Sequence, residues 1–188
     1  MALAPSELMR RQTQVWRRPS VLLVGSPNVG KSVLFHKLTG RYVTVSNYPG
    51  TTVEVSRGRM RHRGREFEII DSPGMYSLMP ITDEERVARR ILLQEHPDLV
   101  LHVVDAKNLA RMLPLTVQLI ESGAPVVLVL NMMDELERAG LSIHIEALQQ
   151  QLGVPVVPTV GLTGEGIDAL KELIYERLAA DADLPARD

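Results

Sequence analysis

Two glycines, a lysine and a hydroxyl are spaced closely in the stretch Gly25-Ser26-Pro27-Asn28-Val29-Gly30-Lys31-Ser32. Where glycine stands, the backbone can come up against an anion that a Cβ would strike. Lysine brings a positive charge on a long stem, and a serine hydroxyl suits a hard divalent cation. This spacing serves the cradling of a polyphosphate, with Lys31 reaching the β- and γ-phosphates and Ser32 holding Mg²⁺. A second group, Asp71-Ser72-Pro73-Gly74, offers a carboxylate that can hold Mg²⁺ through water and a Gly74 amide that can sense a γ-phosphate. Thr51 and Thr52 are candidates for a further hydroxyl on the metal. The third group, Asn131-Met132-Met133-Asp134, chooses the base. An aspartate there accepts from both the ring N–H and the exocyclic amine of guanine. Adenine has no ring N–H to give, and the unpaired carboxylate would cost about 1–3 kcal/mol or more. GTP and GDP are therefore the expected ligands.

These residues act together only if the chain delivers them to one place. Val21-Leu22-Leu23-Val24 reads as a buried strand, and Val33 to Leu38 has the apolar spacing of a helix. The N-terminus of that helix would present unpaired N–H groups and its dipole to the anion. Gly40 closes the helix, and Val43 to Thr52, with Pro49-Gly50, reads as a mobile, punctuated loop. Val53 to Met60 and Arg65 to Ile70 read as strands joined by Arg61-His62-Arg63-Gly64, so short a connection that they must be antiparallel. The second delivers Asp71 at its carboxyl end, where open α/β sheets bind ligands.

Helix and strand then alternate: helix from Thr82 to Gln94, strand from Leu99 to Val104, helix from Arg111 to Ser122, strand from Pro125 to Leu130. Ile143 to Leu152 is a helix, Val154 to Val157 a strand, and Gly166 to Ala179 a last helix with Ile167, Leu170, Ile174 and Leu178 on one face. Continuous apolar strands between helices predict an α/β fold, a mostly parallel sheet of six strands, one of them antiparallel, with helices on both faces.

The bulk numbers agree. The 188 residues suit one domain, expected over 20–180, with an extension over 1–19 and a tail over 181–188. In the extension Arg10, Arg11, Arg17 and Arg18 bracket Val15 and Trp16 and read as a solvated segment with one anchoring tryptophan. It lacks the apolar run of a secretory signal. A net charge of −2 advertises neither nucleic acid nor a membrane surface. Without cysteine there is no disulfide and no thiolate metal site, and the five histidines have no ligand-like spacing. No apolar run approaches the ~20 residues needed to cross a bilayer, so the chain reads as soluble.

The order of these motifs is that of the Ras-like P-loop GTPases. Finer wording, Asn47-Tyr48-Pro49-Gly50-Thr51-Thr52-Val53-Glu54 and Asp71-Ser72-Pro73-Gly74-Met75-Tyr76-Ser77-Leu78, closely resembles the ferrous iron transport protein B family. Ala88-Arg89 and Asn131-Met132-Met133-Asp134 resemble it as well. The resemblance spans about residues 20–180. It implies the G domain, a slow GTPase acting as a nucleotide switch on the cytosolic face of a bacterial inner membrane, for an Fe²⁺ transporter. In that family a helical regulatory domain and a transmembrane region follow. By resemblance Thr52, rather than Thr51, joins the Mg²⁺ shell, and Asn28 helps coordinate K⁺. Residues 25–33, from Gly25 to Val33, would hold the phosphates. Asn131, Met132 and Asp134, with Thr159, Val160 and Gly161, would surround the base.

Several positions depart from the pattern. Met75 stands where many Ras-like proteins carry a water-positioning glutamine, and no arginine finger is identifiable. A clamped K⁺ would supply the missing positive charge, a role worth about 10³–10⁵ in rate. Val160-Gly161-Leu162 replaces the usual Ser-Ala after Pro158-Thr159, leaving the Gly161 N–H as the expected donor to the guanine carbonyl oxygen. Met132 replaces a lysine whose stem would pack on the base, and Tyr48 a common tryptophan. Weak affinity and fast exchange are expected. Two other readings stand beside the transporter switch. One is a ribosome-assembly GTPase, disfavoured by the lack of basic surplus and of an RNA-binding domain. The other is a non-catalytic GTP-dependent binding module. No carboxylate–histidine cluster marks a direct iron site.

Overall fold

The sheet is built outward from one strand, β1 (Ser20–Val24), every residue of which is buried. In the computed structural model residues 18–40 and 43–179 are described. The arginines at 10, 11 and 17, with Val15 and Trp16, and the tail over 181–188 lie outside the described residues. β1 is flanked in parallel by β4 (Arg65–Asp71) and β5 (Leu99–Asp105). Beyond β4 come β3 (Glu54–His62), antiparallel to it, and β2 (Val43–Asn47). Beyond β5 come β6 (Val126–Asn131) and β7 (Val156–Pro158), both parallel. The seven strands run β2-β3-β4-β1-β5-β6-β7, the Ras-like arrangement that the motifs imply.

The seventh strand corrects the reading of Val43 to Thr52 as loop. Val43–Asn47 pairs residue by residue with β3, from Val43 opposite Gly58 to Asn47 opposite Glu54. It is an edge strand with four of its five residues exposed, so no apolar face announces it. Between β3 and β4 the connection is only Arg63-Gly64, both with positive φ (46° and 77°), the two-residue turn whose twist matches its flanking strands.

Strand alternation sends the core to both sides. On one face Val21, Leu23, Ile69 and Val103 pack under α1 (Lys31–Thr39) and α6 (Ile167–Ala179). Ile167, Leu170, Ile174 and Leu178 are all buried there, as their spacing requires. On the other face Leu22, Val24, Ile70 and Val100 pack under α2 (Asp83–Gln94) and α3 (Leu109–Glu121). A further cluster around Leu128, Leu130 and Val156 is closed by Leu136 of α4 (Met133–Arg138) and by α5 (Ile145–Leu152). Each fully buried Leu, Ile or Phe adds about 1.5–3 kcal/mol relative to exposure. Chain order reverses on either side of β1, so the loops after β1, β4, β5 and β6 open at one edge, the topological switch point.

Candidate functional site

At that edge the turn after β1 wraps back on itself. The Lys31 ammonium donates to the carbonyl oxygens of Gly25 (3.0 Å) and Ser26 (2.9 Å), so the lysine lies folded over the loop and is itself buried. Burial lowers its pKa, and the nearby Asp71 charge opposes that shift. Gly30 caps α1 with φ 89°, and no side chain caps the helix. Its first-turn N–H groups are left to the loop, an arrangement that attracts anions. Only glycine fits there, since a Cβ on Gly30 would lie 2.2 Å from Asn131 Nδ2.

Register with β1 brings Asp71 to the loop, because it pairs with Leu23 and stands one residue beyond the Ile70–Leu22 pair. The Ser32 hydroxyl donates to Asp71 Oδ2 at 2.7 Å. Asp71 Oδ1 is buried without a hydrogen-bond partner, and among the described residues no other buried side-chain polar atom is in that position. Burial raises the Asp71 pKa, against the Ser32 hydrogen bond and the Lys31 charge. An orphaned carboxylate oxygen beside a hydroxyl is a donor set that fits a hard cation such as Mg²⁺. Among the described residues no group of three His, Asp or Glu side chains is close enough to hold a metal ion.

The segment after Asp71 is pressed against the loop. Met75 N–H donates to Gly25 O at 3.0 Å, and a Cβ on Gly74 would lie 2.7 Å from Pro27 Cγ. Met75 is 0% exposed, packed in the core below α2 and α3. Its side chain points away from the loop. Residues 76–82 are gripped from two helices. Glu85 Oε2 accepts from Ile81 N–H (2.8 Å) and Thr82 N–H (3.3 Å), and Oε1 from Tyr76 N–H (3.2 Å). Gln118 Oε1 accepts from Leu78 N–H (2.9 Å) and the Ser77 hydroxyl (3.2 Å). Neither anchor figures among the sequence-level candidates. The Thr82-x-x-Glu85 spacing of a capping box was the available signal for Glu85.

On the other side of the loop, the two threonines divide. Thr51 Oγ1 donates to Tyr48 O (2.9 Å) and accepts from Val53 N–H (3.2 Å), so it is spent on a turn. Thr52 is exposed. Asn28 is exposed too, with φ 65°, a left-handed conformation that asparagine tolerates.

Asn131 joins the remaining pieces. Its Nδ2 donates to Val29 O (2.9 Å), and its Oδ1 accepts from the Thr159 hydroxyl (3.1 Å) and Gly161 N–H (2.9 Å). It is 2% exposed, so one buried amide ties the phosphate loop, β6 and the loop after β7 together. The Gly161 amide is taken by Asn131, and the Val160 amide donates to Glu165 O at 3.0 Å. The next residue, Leu162, is 78% exposed at the rim. Met132 adopts φ 61° before α4, its Cε 3.8 Å from where a Cβ on Gly30 would stand. It covers the loop as a lysine stem would. Asp134 opens α4, and Oδ2 of its carboxylate is paired with Arg138 one turn on. Glu135 beside it pairs with Lys107, so α4 is fixed to the turn after β5.

A family model described as ferrous iron transport protein B matches residues 19–174. An Fe(2+) transport protein A/Fe(2+) transporter FeoB fusion protein of Porphyromonas gingivalis is 50% identical over 151 residues, 80% of this chain. The chain spans only 18% of that relative's length. Of solved structures, the cytosolic domain of the T. maritima FeoB iron transporter in a GDP form aligns with TM-score 0.83 and 39% identity, over 91% of this chain and 66% of that one. The same domain has also been solved in a GMPPNP form. The FeoB G-domain from Methanococcus jannaschii aligns with TM-score 0.76 and 38% identity, over 87% of this chain and 99% of that one.

Proposed function

We propose, from the premise that this chain belongs to the ferrous iron transport protein B family, that residues 20–180 act as its G domain. The domain binds GTP and GDP with Mg²⁺, hydrolyses GTP slowly and switches two loops, regulating Fe²⁺ uptake from the cytosolic face of a bacterial inner membrane. The chain spans 18% of the P. gingivalis relative's length, which supports reading it as one part of a longer transporter, whose membrane region would receive the signal through a helical regulatory domain. The observation that carries this reading is the trio of Lys31, Ser32 and Asp71, the lysine and the aspartate buried and one Asp71 oxygen unpaired.

The N–H groups of Asn28 to Val33 and the Lys31 ammonium bind the phosphates, replacing the loop carbonyls that Lys31 now contacts. Ser32 and Asp71 would hold Mg²⁺, joined by Thr52. When bound, that ion would supply positive charge to the polyphosphate. The Gly74 amide reports the γ-phosphate to residues 75–82. Asp134 accepts from guanine, and Asn131 holds the base loops to the phosphate loop. With Met75 buried, position 75 does not orient the attacking water as a glutamine there would. Asn28 would help hold K⁺, whose charge takes the place of an arginine finger.

Calorimetry in Mg²⁺ should give heat with GDP and GTP and none with ADP or ATP. Binding of adenine nucleotides with equal affinity would end the guanine reading. Turnover should be clearly faster in K⁺ than in Na⁺, with the difference lost in Asn28→Ala; equal rates would remove potassium from the mechanism. The buried Met75 also favours a second reading, a GTP-dependent binding module without useful hydrolysis. Single-turnover GTP cleavage in K⁺ separates the two, since such a module would bind GTP and leave it intact.

A further inference from the structure

The guanine-selecting carboxylate is not idle in this structure. Arg138 hooks back on Asp134 twice, its Nη2 on carboxylate Oδ2 and its Nε on the Asp134 backbone oxygen at 3.2 Å. The other oxygen, Oδ1, has no hydrogen-bond partner among the described residues. Arg138 is 71% exposed on its side chain and so is free to leave. Its neighbours cannot compensate. Met132 is uncharged where a lysine would stand, and Lys107, on the turn after β5, is held by Glu135.

A guanine edge presents two donors, the ring N–H and the exocyclic amine, and needs both oxygens of the carboxylate. Hypoxanthine, which lacks the amine, needs one. We propose that Arg138 is a specificity-determining residue, an internal competitor for Asp134 Oδ2 that guanine must displace and hypoxanthine need not. This rests on the guanine reading of the site. Arg138 then lowers affinity for guanine nucleotides selectively and narrows the preference for guanine over hypoxanthine. Exposed i,i+4 pairs are weak, and a guanidinium hooked at two points on one residue stands at the upper end of that class, so the expected effect is about two- to fivefold. The pair is also screened by salt, whereas the base's own hydrogen bonds are much less so.

The test is the dissociation constants of GDP and IDP, in Mg²⁺, for the protein and for Arg138→Met, which keeps most of the apolar stem. Thermal unfolding of the variant checks that α4 is intact, and Arg138→Lys gives a second, partly competing side chain. In Arg138→Met the GDP constant should fall about two- to fivefold while the IDP constant changes by less than about twofold. Arg138→Lys should fall between, and raising ionic strength should move the wild-type GDP-to-IDP ratio toward that of the methionine variant. Equal shifts for both nucleotides, no shift, or weaker GDP binding in Arg138→Met would overturn the proposal, the last by making Arg138 a brace. If neither protein binds GDP, the guanine reading falls and takes this inference with it. Guanine binding that is indifferent to residue 138 sinks the inference alone.

Discussion

Met75 turns into the core, and that orientation sets a limit on what a single substitution can repair. Installing glutamine there would not deliver an amide to the nucleotide. It would bury one at a 0% exposed position among Leu22, Val24, Ala88 and Leu115. Met75→Gln should therefore lower stability by about 1–3 kcal/mol in denaturant unfolding and leave GTP turnover no faster. An accelerated variant would show that the loop re-turns to present position 75. At this scale the sequence disclosed residue types and the places they would gather, since Lys31, Ser32 and Asp71 do meet. It did not disclose which hydrogen atoms were already committed. The Gly161 amide donates to Asn131, 30 residues away along the chain, a bond that no local pattern announces. The Arg138 pairing hid for a different reason. An arginine four residues after an aspartate is commonplace on helices, and nothing in the type alone marks the aspartate as a binding group.

Among the elements, α2 shows how a loop is held by the helix that follows it. Thr82 caps α2 and accepts from Glu85 N–H at 3.2 Å, while Glu85 reaches back to the 76–82 segment. Those backbone donors, Ile81 first, hold the Glu85 carboxyl below its usual range against the effect of burial. Thr82→Ala should cost about 0.5–2 kcal/mol in urea unfolding, as loss of a helix cap does. No change would mean Glu85 alone sustains the turn. The helices of this layer were legible because each carries an apolar stripe with a recognisable start or stop. β2 was not, because it has neither buried face nor charge pattern. It is a strand only through the partner offered by β3. The short α4 was also unmarked, six residues being too few for a periodic signal.

For the molecule as a whole, acid stability depends on a histidine inside the second core layer. His102 on β5 is 1% exposed, its Nδ1 3.0 Å from Thr116 Oγ1. Burial, with the Lys31 charge adding to it, pushes its pKa down to about 3. The unfolded chain takes up this proton near pH 6.5, so the contribution is complete above that pH and is lost as pH falls toward 3. Between pH 7.5 and 4.5 the unfolding free energy should drop by about 2–3 kcal/mol through this group. Asp71, its carboxyl raised by burial, works in the opposite sense and is relieved by acid. Comparison with His102→Gln isolates the histidine. Parallel pH curves for the two proteins would refute the assignment.

The β3–β4 hairpin has its two open ends at the nucleotide edge and its tip at the far pole. There His62 and Arg63 pair with Glu172 (2.9 and 3.0 Å), Arg63 and Arg65 lie over the Tyr175 ring, and Arg65 donates to Ala179 O. A tuning fork gripped by its stem vibrates only in its prongs. Exchanging GDP for a non-hydrolysable triphosphate should alter amide hydrogen exchange over residues 54–57 and 68–71 while residues 60–66 keep their protection. Matched changes at tip and prongs would mean that the grip slips and that α6 travels with it.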